Sequence, residues 1–150
     1  MIEASRPRAL EQLGIVAADL LAYGPTVWLS ITGYGRQAPA RDWVAFGDDA
    51  AVAGGLVVWD ETGPCFCADA VADPLTGLVA TLATLDALRH GRTVLLDVAM
   101  AVVASEFSGP TLAAPPGLEV PAPVAPPVAR HAPALGEHND AVVAELARRS

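Results

Sequence analysis

Lysine is absent from the 150 residues, and all nine cationic side chains are arginine. Against 17 acidic residues they leave a formal net charge of −8, which argues against a nucleic-acid or anionic-membrane partner. Cysteine is nearly absent too: Cys65 and Cys67 are too few for a disulfide framework. Thiolates two apart can share a metal, but a structural zinc needs about four ligands, and no second Cys or His pair lies nearby. No metal is expected, and the pair reads as two reduced, part-buried thiols. Long apolar runs are also missing. None reaches the ~18 residues that cross a bilayer, and the best candidate, 93–104, carries Asp97. The opening MIEASRPRAL has no apolar stretch of signal-peptide type. A cytoplasmic protein is therefore expected. What the chain does have is apolar bulk, 53% of residues, enough for the packed core of one domain.

The chain changes character near Ser108. All eight aromatic residues precede that point, and eight of the 13 prolines fall between Pro110 and Pro133. Proline lacks a backbone donor and fixes φ, so this stretch is expected to be extended, without a core of its own. Beyond it, 137–149 reads as a helix with Val142, Val143 and Leu146 as its stripe and Arg148 and Arg149 in its last turn. The expected organisation is a large domain over 1–107, a linker over 108–132, and a helical segment over 133–150 that returns to the large domain.

Within residues 1–107 the two periodicities of helix and strand alternate. Residues 8–13 and 17–22 read as short helices, and 26–32 (TVWLSIT), ending at Gly33-Tyr34-Gly35, as a buried strand and turn. A helix is expected over 48–56, weakened by Gly54-Gly55. Leu75, Leu78, Val79, Leu82, Leu85 and Leu88 recur at helical spacing, ending near Gly91. A second buried strand over 93–98 and a short helix through Met100 and Val103 complete the set. Strands alternating with helices predict a layered α/β fold. Trp28, Trp43 and Trp59 are too far apart for a stacking platform and read as core or interface packing.

Asp73-Pro74 opens the strongest helix, and an Asp followed by Pro suits an N-cap and first-residue pair. The same geometry keeps a carboxylate ionised, as a nucleophile toward an activated acyl group requires. ADPLTGL, its helix and VLLDVAM resemble the matching stretch of the class III CoA-transferases, the CaiB/BaiF family. Three further segments agree in order. Residues 2–10 with Leu13-Gly14 are similar to that family's IENFRPG…LERLG segment, VWLSITGYG resembles its VYVSISGFG strand and turn, and PALGEHNDAVVAEL resembles its PxLGEHTxxVL segment.

The resemblance implies a Rossmann-like layered α/β domain, incomplete here, followed by the proline-rich segment and the C-terminal helix. It implies an enzyme that moves CoA from an acyl-CoA to a carboxylic acid, with Asp73 as nucleophile and Ser5, Arg6, Thr32, Gly33 and Tyr34 lining the CoA cleft. Arg6 would meet a CoA phosphate, a geometry that guanidinium suits. The CoA thioester is the substrate, and no permanently bound cofactor or metal is implied. Family members form interlocked dimers, so a homodimer or a complex with a longer homologous chain is expected.

Against the family pattern this is a partial member. The family begins with a βα unit before the segment that here opens at Met1, and carries a smaller domain and a glycine-rich loop where this sequence has prolines. Two alternatives stand beside transfer. One is an α-methylacyl-CoA racemase-like protein, whose His-Asp pair falls near Phe46–Asp49, where Asp48 fits but no histidine is present. The other is a non-catalytic remnant that binds CoA or a partner chain.

Overall fold

Two runs dominated by aliphatic residues, VWLSIT and VLLDVA, form the inner strands of the computed structural model, which describes residues 1–24, 27–110, 124–128 and 130–149. The chain falls into two units, 1–112 and 113–150.

The first unit is built on a three-stranded parallel sheet. Strand β1 (Ile2–Glu3) is followed by helices α1 (Pro7–Glu11) and α2 (Ala17–Leu21) and by β2 (Val27–Thr32). Then come a 3-10 turn (Ala40–Asp42), α3 (Gly47–Ala53), a hairpin of β3 (Val57–Asp60) and β4 (Gly63–Phe66), α4 (Ala72–Arg89), β5 (Val94–Ala99) and α5 (Met100–Phe107). The order is β1-β2-β5, so β2 is central, with Glu3 opposite Ser30 and Thr32 opposite Ala99. Parallel neighbours need crossovers, and the α1–α2 and α3–α4 segments supply them.

Alternation along β2 divides the sheet's faces. Leu29 packs with Val98 of β5, Ala80 of α4 and Val103 of α5. A second apolar cluster joins α3, α4 and α5 through Ala50, Ala51, Ala72, Met100 and Ala104. The opposite face carries Trp28 and Ser30, which bond Glu3 and Arg36.

Helix α4 lies where the leucine period predicts, and Gly91 at φ +61° follows its end, where an L-side chain would be strained. Of the apolar stripe, Leu75 and Val79 pack against the core cluster beneath the sheet. Leu78, Leu82, Leu85 and Leu88 are exposed, and the buried positions are Ala72, Thr76, Ala80 and Ala87. The helix is apolar around most of its circumference, and its small side chains are the ones that let the helix axis approach the sheet. The tryptophans also divide: Trp28 is buried, whereas Trp43 and Trp59 are exposed.

Neither the hairpin nor β1 was marked by periodicity. The hairpin turn is made by the Asp60 carboxylate, whose Oδ1 accepts the Thr62 N–H at 2.7 Å and the Thr62 hydroxyl at 2.6 Å. These donors, with the Cys65 thiol, hold Asp60 down at a pKa of about 2. Both thiols are exposed, not part-buried, because the hairpin stands at the surface with Trp59 and Phe66 also exposed. Cys65 Sγ donates to Asp60 Oδ2 at 3.2 Å, and this bond raises the thiol pKa. Asn at position 60 can keep the turn's acceptor while removing the charge. Asp60→Asn is therefore expected to lower the Cys65 pKa and speed its alkylation at pH 8, read by peptide mapping after iodoacetamide. An unchanged rate would mean that the carboxylate does not hold the thiol.

In the second unit, α6 (Asn139–Arg149) forms two residues later than the expected start. Val142, Val143 and Leu146 are all exposed. Most of the proline-rich stretch lies outside the described residues, and 124–128 has no regular secondary structure.

Candidate active site

The C-terminal ends of β1 and β2 open onto a cleft of about 520 Å³. Open parallel sheets bind ligands beyond these carboxyl ends, because the chain leaves them in loops free to diverge. Ser5 and Arg6 follow β1, Thr32 ends β2, Gly33 and Tyr34 follow it, and Asp73 enters from α4. All six residues singled out in the sequence line this one cleft.

One wall is the loop after β2. Thr32 Oγ1 accepts the Gly35 N–H at 2.8 Å, and the Gly33 carbonyl accepts the Ala101 N–H at 3.0 Å. A Cβ on Gly33 would stand 2.7 Å from that of Ala45, so glycine lets the opposite wall close in. That wall is the segment 43–46. Tyr34 and Trp43 meet edge to face across the gap, their centroids 5.6 Å apart.

Asp73 does not cap its helix. Ala72 opens α4 after Val71, which makes Asp73 the second helical residue and Pro74 the third, two positions deeper than expected. Proline is tolerated there because first-turn N–H groups have no intrahelical acceptor. The carboxylate is thereby released from capping. It is exposed toward the cleft, has no hydrogen-bond or ion-pair partner among the described residues, and lies against Gly47 at the start of α3.

The turn into α4 is fixed by Asp48. Its Oδ1 accepts the Ala70 N–H at 2.8 Å, Ala70 sits at φ +45°, and its carbonyl accepts the Asp73 N–H at 3.0 Å. Asp48 is not among the residues lining the cleft, and no histidine lines it among the described residues.

Two cations line the cleft. Arg41 is paired with Glu11, whereas the Arg6 guanidinium has no acidic partner among the described residues. No group of three or more His, Cys, Asp or Glu side chains converges among the described residues.

Sequence reasoning missed what supports the loop. Glu3 is buried, and its carboxylate accepts Trp28 Nε1–H at 2.7 Å and Arg36 Nη1–H at 3.1 and 3.2 Å. Arg36 also donates to Ser30 Oγ at 2.8 Å, and its backbone N–H donates to Asp97 Oδ2 at 3.0 Å. The sequence carried no signal for this network, because β1 is only Ile2 and Glu3 and a lone glutamate there reads as a surface group. Arg36→Ala would strand that buried charge, at a cost of about 3–5 kcal/mol. Urea unfolding should show most of that loss, and Glu3→Gln added to Arg36→Ala should recover part of it. A single-mutant loss below about 0.5 kcal/mol would place the pair in water instead.

The family model described as CoA-transferase family III matches residues 1–135. No curated protein matches the chain. Among solved structures, a CaiB/BaiF family protein from Brucella suis is similar with a TM-score of 0.62 and 26% identity, over 70% of this chain and 30% of that one. A hypothetical protein from Mycobacterium tuberculosis gives 0.62 and 28%, over 71% and 33%. This chain thus spans about a third of the length of those structures. A parallel sheet with its layered helices and a family match over most of the sequence lead to one conclusion: the chain belongs to CoA-transferase family III.

Proposed function

We propose that the cleft serves CoA transfer from an acyl-CoA to a carboxylic acid, with Asp73 as the nucleophile. A carboxylate oxygen of Asp73 attacks the thioester carbonyl, the C–S bond breaks, and CoA leaves as the thiolate, giving a mixed anhydride. The thiolate attacks the aspartyl carbonyl, forming the aspartyl-CoA thioester and releasing the donor as its carboxylate. An acceptor carboxylate repeats the two steps in reverse order and regenerates Asp73. Covalent catalysis divides one acyl exchange into easier steps. Arg6 binds a CoA phosphate, and the cleft's Ser5, Thr32, Gly33 and Tyr34 hold the rest of the carrier.

The observation that carries this reading is an accessible carboxylate in a cleft that also presents an arginine, both without a side-chain partner among the described residues. Racemisation is less well supported, since Asp48 is engaged by Ala70 and histidine is absent beside it. Incubation of the chain with acyl-CoAs, followed by intact-mass measurement and peptide mapping, tests the proposal. A CoA or acyl adduct on the peptide bearing Asp73 is expected. CoA binding without any adduct would favour the remnant that only binds.

The exposed leucines of α4 bear on assembly. Pairing with a second copy, or with a longer homologous chain, would take this face out of water. Sedimentation should give a dimer or larger species at micromolar concentration, and a stable monomer would remove the homodimer.

A further inference from the structure

An apolar wall of the cleft adjoins Asp73. Phe46 is 74% exposed and Trp43 57%, yet both line the cleft, with Val44 between them also exposed. Phe46 immediately precedes Gly47, whose backbone lies against the Asp73 carboxylate. Met100 is buried behind the cleft in the apolar cluster with Ala72, and Ala45 packs against that cluster. A large ring left in water at this place is unexplained by packing within the described residues.

The cleft offers few cations among the described residues. Arg6 and Arg41 are the cations lining the cleft among the described residues, and the Arg41 guanidinium is already held by Glu11. Arg6 follows β1 and is engaged by the carrier's phosphate in the proposed complex. A substrate whose acyl group ended in a second carboxylate would bring that charge into the Asp73 end of the cleft with no free cation to meet it. Like charges without a partner are disfavoured in such a half-enclosed site.

We infer that the acyl group handled at Asp73 is uncharged and apolar, seated against Phe46 and Trp43, and not that of a dicarboxylic acid. The inference rests on the reading of the cleft as a CoA-thioester site and adds the substrate class. The edge-to-face contact with Tyr34 fixes the Trp43 ring, so an arriving apolar group meets a wall already in place.

Calorimetric titration of the full chain with CoA, acetyl-CoA, succinyl-CoA and phenylacetyl-CoA tests it. CoA alone reports on the carrier site, and the ratios among thioesters report on the acyl group. Phenylacetyl-CoA is expected to bind about tenfold tighter than acetyl-CoA, from the apolar area of one ring removed from water. Succinyl-CoA should bind no tighter than acetyl-CoA. Phe46→Ala, at an exposed position that a circular-dichroism melt checks for folding, should narrow the phenylacetyl-to-acetyl ratio to about threefold or less. Succinyl-CoA binding as tightly as phenylacetyl-CoA would overturn the acyl class while leaving the carrier site standing, as would an unchanged ratio in Phe46→Ala. Failure of CoA and of all its thioesters to bind would overturn both.

Discussion

Asp73→Asn is expected to reduce covalent adduct formation to background while leaving the fold nearly untouched. The two effects separate because the structure gives this carboxylate no structural duty. It makes no side-chain cap, has no ion-pair partner among the described residues, and stands exposed at the second position of α4. Asparagine keeps the size, and its amide has no lone pair able to attack a thioester under ordinary conditions. The one stabilising role lost is the attraction between a negative charge and the helix N-terminus, about 0.3–1 kcal/mol. Thermal unfolding should therefore shift by only a few degrees, whereas the adduct seen by intact mass with the wild-type chain should vanish. An adduct formed at the wild-type rate by the asparagine variant would mean that another group attacks. A collapse of the fold would mean that Asp73 holds the α3–α4 junction together.

The sequence disclosed elements more readily than faces. Strands β2 and β5 were legible because aliphatic runs between turn residues have few other uses, and observed bounds differ from expected ones by about one residue. Helix α4 was legible by period, but a leucine stripe does not reveal which of two apolar sides meets the sheet. Ala80 beside Leu29 and Val98 answers that: close approach selected the small residues, which leave no mark in a hydrophobicity pattern. The hairpin escaped because Pro64 interrupts β4 and the two-residue turn contains no Asn-Gly pair; the bonds from Asp60 make it instead. Both thiols were placed too deep for the same reason.

The site divides along similar lines. The backbone around Thr32, Gly33 and Tyr34 was legible from strand and turn chemistry, and the grouping of Ser5, Arg6 and Asp73 with it came through the family resemblance alone. Tertiary partners were not legible. Glu3 and Arg36 stand 33 residues apart and meet only because β1 pairs with β2 in a register that puts Glu3 opposite Ser30. Asp48 and Ala70 are 22 apart and meet only because α3 packs against the start of α4.

Gly47→Ala is expected to disable the same chemistry from the opposite side. Gly47 has no positive φ, so its role is to leave space. A Cβ there would fall inside contact distance of Asp73 Oδ2 and stand 2.8 Å from Asp73 Cγ and 2.7 Å from the Ala70 carbonyl oxygen. The side chain of Asp73 can swing away, but the Ala70 carbonyl cannot readily follow. Asp48 holds the Ala70 N–H, and that carbonyl accepts from the Asp73 backbone. The methyl group must therefore displace the carboxylate, push apart the starts of α3 and α4, or do both. Overpacking of this kind costs about 1–3 kcal/mol, which denaturant unfolding would show. A displacement of the nucleophile by about 1 Å costs on the order of a hundredfold in rate, and adduct formation should fall accordingly. CoA binding, read by calorimetry, should change much less, because Arg6 and the loop after β2 lie on other elements. Undiminished adduct formation in Gly47→Ala would show that the contact does not fix the carboxylate. An equal loss of CoA binding would make the substitution a disruption of the whole cleft.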